Sequence, residues 1–163
     1  MGGLFSGSGL SEVDEAGRTR LPDFIQRVLI GRGDSGRIVI AVHEDDECLV
    51  GFDPGYTPIL HTELERRRLA GEIAGEAREA HHARARRLFG LAADSPVEAG
   101  DTIVLPELPR RRGRISNLAL FVGTGGTFEI WDPGTARDVG DGDLRAIAEY
   151  RLEEATSERR AEE

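Results

Sequence analysis

Short apolar runs bounded by polar turns occur early in the chain and return near its end. The run at residues 38–42 is followed by a polar stretch and a second run at 48–52. The run at 118–122 is followed by a glycine-rich stretch and a second run at 127–131. Runs of about five apolar residues between turn residues are typical of buried β-strands. The pattern therefore predicts two strand–turn–strand units, each of which ends in Asp-Pro.

Between these strand units the apolar positions take up helical spacing. Residues 24, 25, 28 and 29 are apolar and follow Pro22, a residue that suits the first turn of a helix. Residues 60–92 predict a longer helical stretch, which Gly71 and Gly75 divide into two helices. Helices should therefore follow the first turn and connect the two strand units.

A polar phrase precedes each strand unit. Residues 14–17, Asp-Glu-Ala-Gly, are typical of a tight turn, because Asp bonds its own backbone and Gly tolerates positive φ. Alternation along the strand that follows places Arg18 and Arg20 on one face and Thr19 on the other. Residues 97–106 repeat the phrase as Val-Glu-Ala-Gly-Asp-Thr-Ile-Val-Leu-Pro. A phrase that occurs twice indicates a duplicated unit.

Composition is that of a globular protein. With 163 residues, 39% hydrophobic and 31% charged, the chain corresponds to about one domain. No run approaches the ~20 apolar residues of a membrane span, and the start lacks a secretory signal, so we expect a cytoplasmic protein. Cys48 is the single cysteine and lies in an apolar run, which favours a buried packing role.

The net charge of −9 argues against nucleic acid only weakly, because the charge is unevenly distributed. The segment 138–163 holds nine acids and four arginines, and therefore −5 of that charge. Residues 141–154 predict an acidic C-terminal helix that frays into a disordered end. Every basic residue is Arg, which suits bidentate contact with phosphate or guanine.

Three short motifs carry little information. Residues 31–36 spell G-x-G-x-x-G, but a predicted helix precedes them and a strand follows, the reverse of a dinucleotide-binding site, so we expect a turn. Residues 43–47 place a histidine beside acids, for which a solvated loop is favoured over a metal site. Residues 1–6 fit the loose myristoylation pattern, which arises often by chance.

The second helix of the middle stretch is rich in Ala and Arg. His81 and His82 point in different directions on a helix, so they are a poor chelate and are expected to be exposed. Arg84, Arg86 and Arg87 could touch phosphate, but a solvated helix face is favoured.

No pattern indicates an enzyme. The chain has no nucleophile–base pair at sensible spacing and no metal signature, so we expect no cofactor and no small-molecule substrate. The lack of a long apolar run likewise leads us to expect no membrane partner. Asp132 is better explained as a turn former than as a catalyst. Trp131 and Phe128 are better explained as core or subunit interface than as a platform that stacks bases.

Taken together, residues 4–137 resemble the MraZ family of bacterial regulators, within the AbrB/SpoVT-like barrel superfamily. Residues 14–18 stand in the place of the family's Asp-x-x-Gly-Arg motif. The order and number of the motifs are specific in combination. The other segments that carry the resemblance are Phe5-Ser6-Gly7, Leu21-Pro22, 84–93, Glu98-Ala99-Gly100, Leu105-Pro106, 121–123 and 128–132.

The resemblance implies an α+β fold: a duplicated AbrB/MraZ-like β-barrel with pseudo-two-fold symmetry, a helical insert between its lobes and a C-terminal helix. The expected divisions are a first SpoVT-AbrB-like lobe at 8–56, a helical connector at 57–93, a second lobe at 94–137 and an acidic helix and tail at 138–163.

The resemblance also implies a function. Family members form closed rings, bind short G-rich direct repeats of double-stranded DNA upstream of their own division and cell-wall operon, and regulate its transcription. We therefore expect a nucleoid-associated homo-oligomer. Arg18 is the first candidate for DNA contact. The full set of candidate DNA-binding residues is Arg18, Arg20, Asp14, Gly17, Arg110, Arg111 and Arg112.

The second phrase departs from the family pattern. Val97 and Asp101 stand where Asp and Arg are expected, which would put an anion at the position equivalent to Arg18. Ser6 stands where some members have Arg. The Arg110–Arg114 cluster could compensate, or could pair with acids of a neighbouring subunit.

Two other hypotheses stay open. A ring-forming scaffold with weakened or lost DNA binding would contact another protein, and the acidic tail and the inverted charge at Asp101 favour it. An antitoxin-like relative of the same barrel would hold a toxin through its C-terminal tail.

Overall fold

A computed structural model describes residues 3–31 and 36–162 as a mixed α+β chain. Residues 32–35 of the turn predicted at 31–36, and residues 1 and 2 of the motif at 1–6, lie outside the described residues. The strands are β1 (Ser8–Glu12), β2 (Arg18–Arg20), β3 (Arg37–Val42), β4 (Leu49–Phe52), β5 (Ala93–Pro96), β6 (Thr102–Val104), β7 (Leu118–Gly123) and β8 (Phe128–Trp131). The helices are α1 (Asp23–Gly31), α2 (Thr57–Ile73), α3 (Arg78–Ala85), α4 (Glu107–Arg112), α5 (Pro133–Val139) and α6 (Gly142–Glu162), with a 3₁₀ turn at Pro54–Tyr56 and a π-helical turn at Arg86–Gly90.

The strands form two antiparallel sheets. Six of them pair in the order β1-β7-β8-β4-β3-β5, and β2 pairs with β6 in a two-stranded sheet, here called the ribbon. Single bridges, Val13 with Thr19 and Glu98 with Thr102, link the ribbon to the chain next to β1 and β5. The ladders among the described residues are therefore two open sheets whose edges approach each other, and not one closed barrel.

The six-stranded sheet is covered on both faces. One face packs against the ribbon and α1, with Ile25 and Ile103 in the shared core. The other face carries α5 and α6 over one half, through Ala136 and Ala148. Its other half carries α2, through Leu64, and the π-helical turn. A sheet buried on both sides needs apolar residues at successive positions, which explains the continuous runs in the sequence.

Three predictions about buried residues are confirmed. Phe128 and Trp131 are 0% and 3% exposed and belong to the core, where Phe128 packs edge-to-face on Phe5. Cys48 is 1% exposed, and burial raises the pKa of its thiol far above the usual range. A thiol that stays protonated and inaccessible is a packing residue.

The order of the strands in the six-stranded sheet is symmetric between the two halves of the chain. The sheet order is unchanged when β1 to β4 are exchanged for β5 to β8. Matched hydrogen bonds follow the same exchange. Ser11 and Ser95 hydroxyls donate at 2.7 Å to the carbonyls of Arg20 and Val104 respectively. The Val13 and Val97 amides donate at 2.9 and 2.8 Å to Asn117 and Gly36, and the Asp14 and Glu98 amides at 3.0 and 2.7 Å to Arg18 and Thr102.

The middle of the chain contains the two helices that the sequence predicts, but the break between them differs from the prediction. α1 buries Ile25, Val28 and Leu29 as its spacing predicted. The middle stretch is broken at Gly75, where φ is +82°, whereas Gly71 lies inside α2. The predicted break at Gly71 is therefore wrong. None of the described helices combines the length and apolar character that a membrane span requires.

The C-terminal part is more ordered than expected. α5 was not predicted, although Asp132 accepts a hydrogen bond from the Thr135 amide and so caps it. α6 continues to Glu162, so the expected frayed end after residue 154 is wrong. Its Arg151 Nε donates to the Ser8 hydroxyl at 3.0 Å, which ties the helix to β1. Attachment to the sheet gives α6 a support that its own polar sequence does not indicate.

Candidate nucleic-acid interface

The ribbon separates buried from exposed side chains as alternation predicted. Thr19 lies opposite Ile103, and both are buried against the core. Arg18 and Arg20 lie on the opposite face and are exposed. Leu21 and Leu105 follow on the buried side, so the apolar residues fix the register in which the arginines face outward.

The turn before β2 holds the start of Arg18 in place. Gly17 has a φ of +90° and donates its amide hydrogen to the Asp14 carbonyl at 3.0 Å. The Arg18 amide donates to the Asp14 carboxylate at 2.8 Å. Asp14 and Gly17 are therefore turn-forming residues, and their part in any contact is to position Arg18.

The Arg18 guanidinium already has one acidic neighbour. Its Nη2 lies 3.2 Å from Glu98 Oε2, and the two side chains are 48% and 44% exposed. An ion pair this open to solvent contributes about 0–1 kcal/mol. Arg18 can therefore exchange Glu98 for another anion at small cost. Sequence reasoning did not select Glu98, because the residues are 80 apart and no local pattern joins them.

The basic cluster of α4 lies beside the first turn. A Cβ added to Gly17 would lie 2.8 Å from Arg110 Nη1, so this guanidinium contacts the turn backbone. Arg111 pairs with Glu107 on its own helix, and Arg112 is exposed. A groove of about 540 Å³ separates the turn from α4, and its charged lining residues are Asp14, Glu15, Arg110, Arg111 and Arg114. The structure thus brings Arg110 and Arg111 to the turn, together with Arg114, which was not among the selected residues.

The second hairpin requires a correction of register. Counting from the glycines placed Asp101 level with Arg18. In the structure the Leu105 amide donates to the Gly17 carbonyl and the Leu21 amide to the Asp101 carbonyl, each at 2.9 Å. Asp101 therefore occupies the place of Gly17, and its φ of +58° agrees with that position.

One extra residue between the glycine and the Leu-Pro of the second hairpin causes this shift. Thr102 consequently stands in the place of Arg18, and Val104 in the place of Arg20. The second strand of the ribbon, β6, carries no arginine, and Asp101 comes before this strand instead of lying at the position of Arg18. The matched hydrogen bonds place Glu98 in the position of Asp14.

The polar loop at 43–47 is tied to β8. His43 Nε2 lies 3.8 Å from carboxylate oxygens of both Asp46 and Glu129, and among the described residues this is the group that could hold a metal ion. The His43 Nδ1 accepts hydrogen bonds from the amides of Asp45 and Asp46 at 3.1 and 2.9 Å. Its Nε2 then carries the hydrogen, which leaves no lone pair there for a metal. The group is better described as a hydrogen-bonded turn.

Comparison with known proteins finds relatives along most of the chain. The chain is 24% identical over 129 residues to the transcriptional regulator MraZ of Legionella pneumophila (strain Corby), covering 79% of this chain and 80% of the relative. It is 27% identical over 144 residues to that of Saccharophagus degradans, covering 86% and 92%. It is 28% identical over 129 residues to that of Nitrosococcus oceani, covering 79% and 81%. No family model matches the chain.

Proposed function

Because the chain belongs to the MraZ family, we propose that it is a transcriptional regulator that binds double-stranded DNA through the exposed face of the ribbon. Several relatives along most of the chain are named as transcriptional regulators. The observation that carries the assignment of the surface is the outward placement of Arg18 and Arg20 by a hydrogen-bonded turn. Arginine on a rigid element suits a bidentate contact with guanine or phosphate.

We propose that Arg18 makes the main contact and that Arg20 contacts the phosphate backbone beside it. Arg110, Arg111 and Arg112 would add positive charge along one side of the turn, since Arg110 lies against Gly17. A bidentate contact of arginine with guanine contributes about 1–3 kcal/mol of discrimination. Only one strand of each ribbon carries arginine, so a single subunit would bind weakly.

A ring of subunits on short direct repeats would remove this weakness. Each further subunit that engages a repeat does so at a high effective concentration, and the affinities multiply. We propose such a homo-oligomer, acting in the cytoplasm on the nucleoid upstream of the division and cell-wall genes. We also propose that lobes 8–56 and 94–137 form a duplicated barrel, separated by the connector 57–93 and followed by 138–163. The symmetric sheet order and the matched hydrogen bonds support duplication.

The experiment that tests the proposal is a titration of the full chain against the DNA upstream of its own gene, with a scrambled probe as control, at two salt concentrations. Arg18→Ala should weaken specific binding by about tenfold or more and reduce the dependence of affinity on salt. Arg66→Ala is the matched control, because Arg66 is an exposed arginine of α2 that also pairs with an acid, Glu63. Equal, feeble binding to both probes that Arg18→Ala leaves unchanged would favour the protein-contact scaffold instead.

The Arg18–Glu98 pair leads to a second expectation. Glu98→Gln removes the carboxylate with which Arg18 must break its ion pair before it can bind DNA. An exposed ion pair of this kind contributes about 0.2–1 kcal/mol. We therefore expect DNA affinity to rise by about two- to fivefold in the same titration. Glu63→Gln changes the net charge equally but breaks a pair on α2, and it should leave affinity within about twofold of the unchanged protein. Equal gains from both variants would mean that only net charge matters, and would contradict the placement of Arg18 at the contact.

A further inference from the structure

A small cavity lies between α2 and α3, in the helical connector 57–93. Its volume is about 160 Å³. This is roughly half of the ~300 Å³ at which pockets begin to hold drug-sized molecules. Its lining includes Arg68, Arg78 and Arg84, together with His81 and His82. The cavity lies apart from the ribbon and plays no part in the DNA-binding proposal.

Arg84 is the central residue of this cavity. The sequence favoured a solvated helix face for it, but the side chain is 9% exposed, and that interpretation is wrong. Its Nη1 donates to Glu76 Oε1 at 2.5 Å. Its Nε and Nη2 are buried and have no hydrogen-bond partner. These two nitrogens form one edge of the planar guanidinium, the edge that binds carboxylate and phosphate in a bidentate manner.

Two further features converge on the same cavity. His81 Nδ1 is also buried without a hydrogen-bond partner. α3 begins beside the cavity, with Ala77 as its N-cap, and no side chain caps its first amides. Free amides at a helix N-terminus and the helix dipole both favour a negative charge. The unpartnered atoms of Arg84 and His81 and the start of α3 therefore all belong to residues that line one small cavity.

The acids of the cavity are already engaged. Glu72 pairs with Arg68 at 2.8 Å, and Glu76 holds the other edge of Arg84. Among the described residues, no ion pair involves Arg78, which is exposed at the rim. Arg68 also pairs with Glu65 at 2.8 Å, so the acids in and around the cavity balance its arginines in number, and what the space offers an anion is the unpaired edge of Arg84.

We propose that the helical connector binds a small oxyanion, a phosphate or a carboxylate group, on the free edge of Arg84. The size of the cavity selects a single charged group or a small molecule that carries one. Bidentate hydrogen bonds to Nε and Nη2, a hydrogen bond with His81 and the N-terminus of α3 would hold it. The positive charge of Arg78, at the rim of the cavity, would attract the anion further. The proposal stands on the connector alone and does not depend on DNA binding.

The test is a calorimetric titration of the full chain with inorganic phosphate, and separately with acetate, while sodium chloride keeps the ionic strength constant. We expect saturable binding of one anion per chain in at least one titration, and the tighter of the two identifies the chemical class. Arg84→Lys keeps the charge but loses the fork, and should weaken binding by about tenfold or more. Far-UV circular dichroism checks that this variant folds.

A second pair of variants does not depend on the buried residue. Arg78→Gln should weaken anion binding severalfold, because it removes charge from the rim. Arg86→Gln removes the same charge from an exposed arginine just after α3 and should not change it. Failure of both anions to saturate would mean that water alone satisfies Arg84, and would overturn the proposal. Equal weakening by Arg78→Gln and Arg86→Gln would overturn it as well, because only net charge would then matter.

Discussion

The Gly51→Ala variant should lose about 3 kcal/mol of its free energy of unfolding. Gly51 lies in β4 directly opposite Phe128 in β8, and the aromatic ring covers it. A Cβ at this position would lie 2.3 and 2.4 Å from two ring atoms of Phe128. The ring cannot retreat easily, since its centroid is 5.0 Å from that of Phe5 and 6.1 Å from that of Phe121. One methyl group would therefore force the centre of the sheet apart.

Denaturant unfolding followed by far-UV circular dichroism measures this effect, provided that the dependence on denaturant is unchanged. Gly55→Ala is the matched control, because a Cβ there meets nothing within 4 Å, and it should stay within about 0.5 kcal/mol of the unchanged protein. Adding Phe128→Leu to Gly51→Ala should recover part of the loss by making room for the methyl group. Equal stability of the Gly51 and Gly55 variants would show that β4 and β8 do not pair in this register.

The Gly17→Ala variant should damage both stability and DNA binding. At a φ of +90° an alanine is strained by about 1–2 kcal/mol. Its Cβ would also lie 2.8 Å from Arg110 Nη1 and 3.1 Å from the Leu105 carbonyl oxygen. The Leu105 amide also donates a hydrogen bond to the Gly17 carbonyl, so Leu105 cannot move away without disturbing the ribbon. The ribbon and α4 must therefore both shift. Because Arg18 follows at once, we expect DNA affinity to fall by about tenfold.

The second hairpin offers a close control for this variant. Gly100 has a φ of +80°, but a Cβ there meets nothing within 4 Å. Gly100→Ala should therefore carry the backbone strain alone, and should leave DNA affinity within about twofold. The stability difference between the two variants, expected to be about 1 kcal/mol or more, measures the close approach of Arg110 and Leu105. If both variants lose DNA affinity equally, the two hairpins contribute alike and the asymmetry proposed for the ribbon is wrong.

The place of Asp101 illustrates how sequence similarity and three-dimensional equivalence can differ by one residue. The repeated Glu-Ala-Gly aligned Asp101 with Arg18, whereas the hydrogen bonds align it with Gly17. Burial of Leu21 and Leu105 decides the register, because a shift by one residue would turn both side chains towards solvent. The repeated letters are therefore a poorer guide to the position of the arginine than the apolar residues after them.

Local features of this protein were determined by its sequence alone. The turn at residues 14–17, the outward face of Arg18 and Arg20, the apolar strands and α1 follow from backbone preferences and from periods of 2 and 3.6 residues. These depend on neighbours in the chain, so they can be predicted without the fold. The resemblance to a known family likewise needed only the order of short motifs.

Only the tertiary structure decided which distant residues meet. The pairing of β2 with β6, the Glu98 carboxylate at Arg18 and the burial of Arg84 all join segments that the sequence does not link by any period. The length of α6 was also decided by the tertiary structure, because the contact of this helix with β1 supports a segment that is polar along most of its surface. The physical reason is common to all four: burial and pairing depend on how the whole chain closes around the core, and a local pattern carries no information about the element that will lie against it.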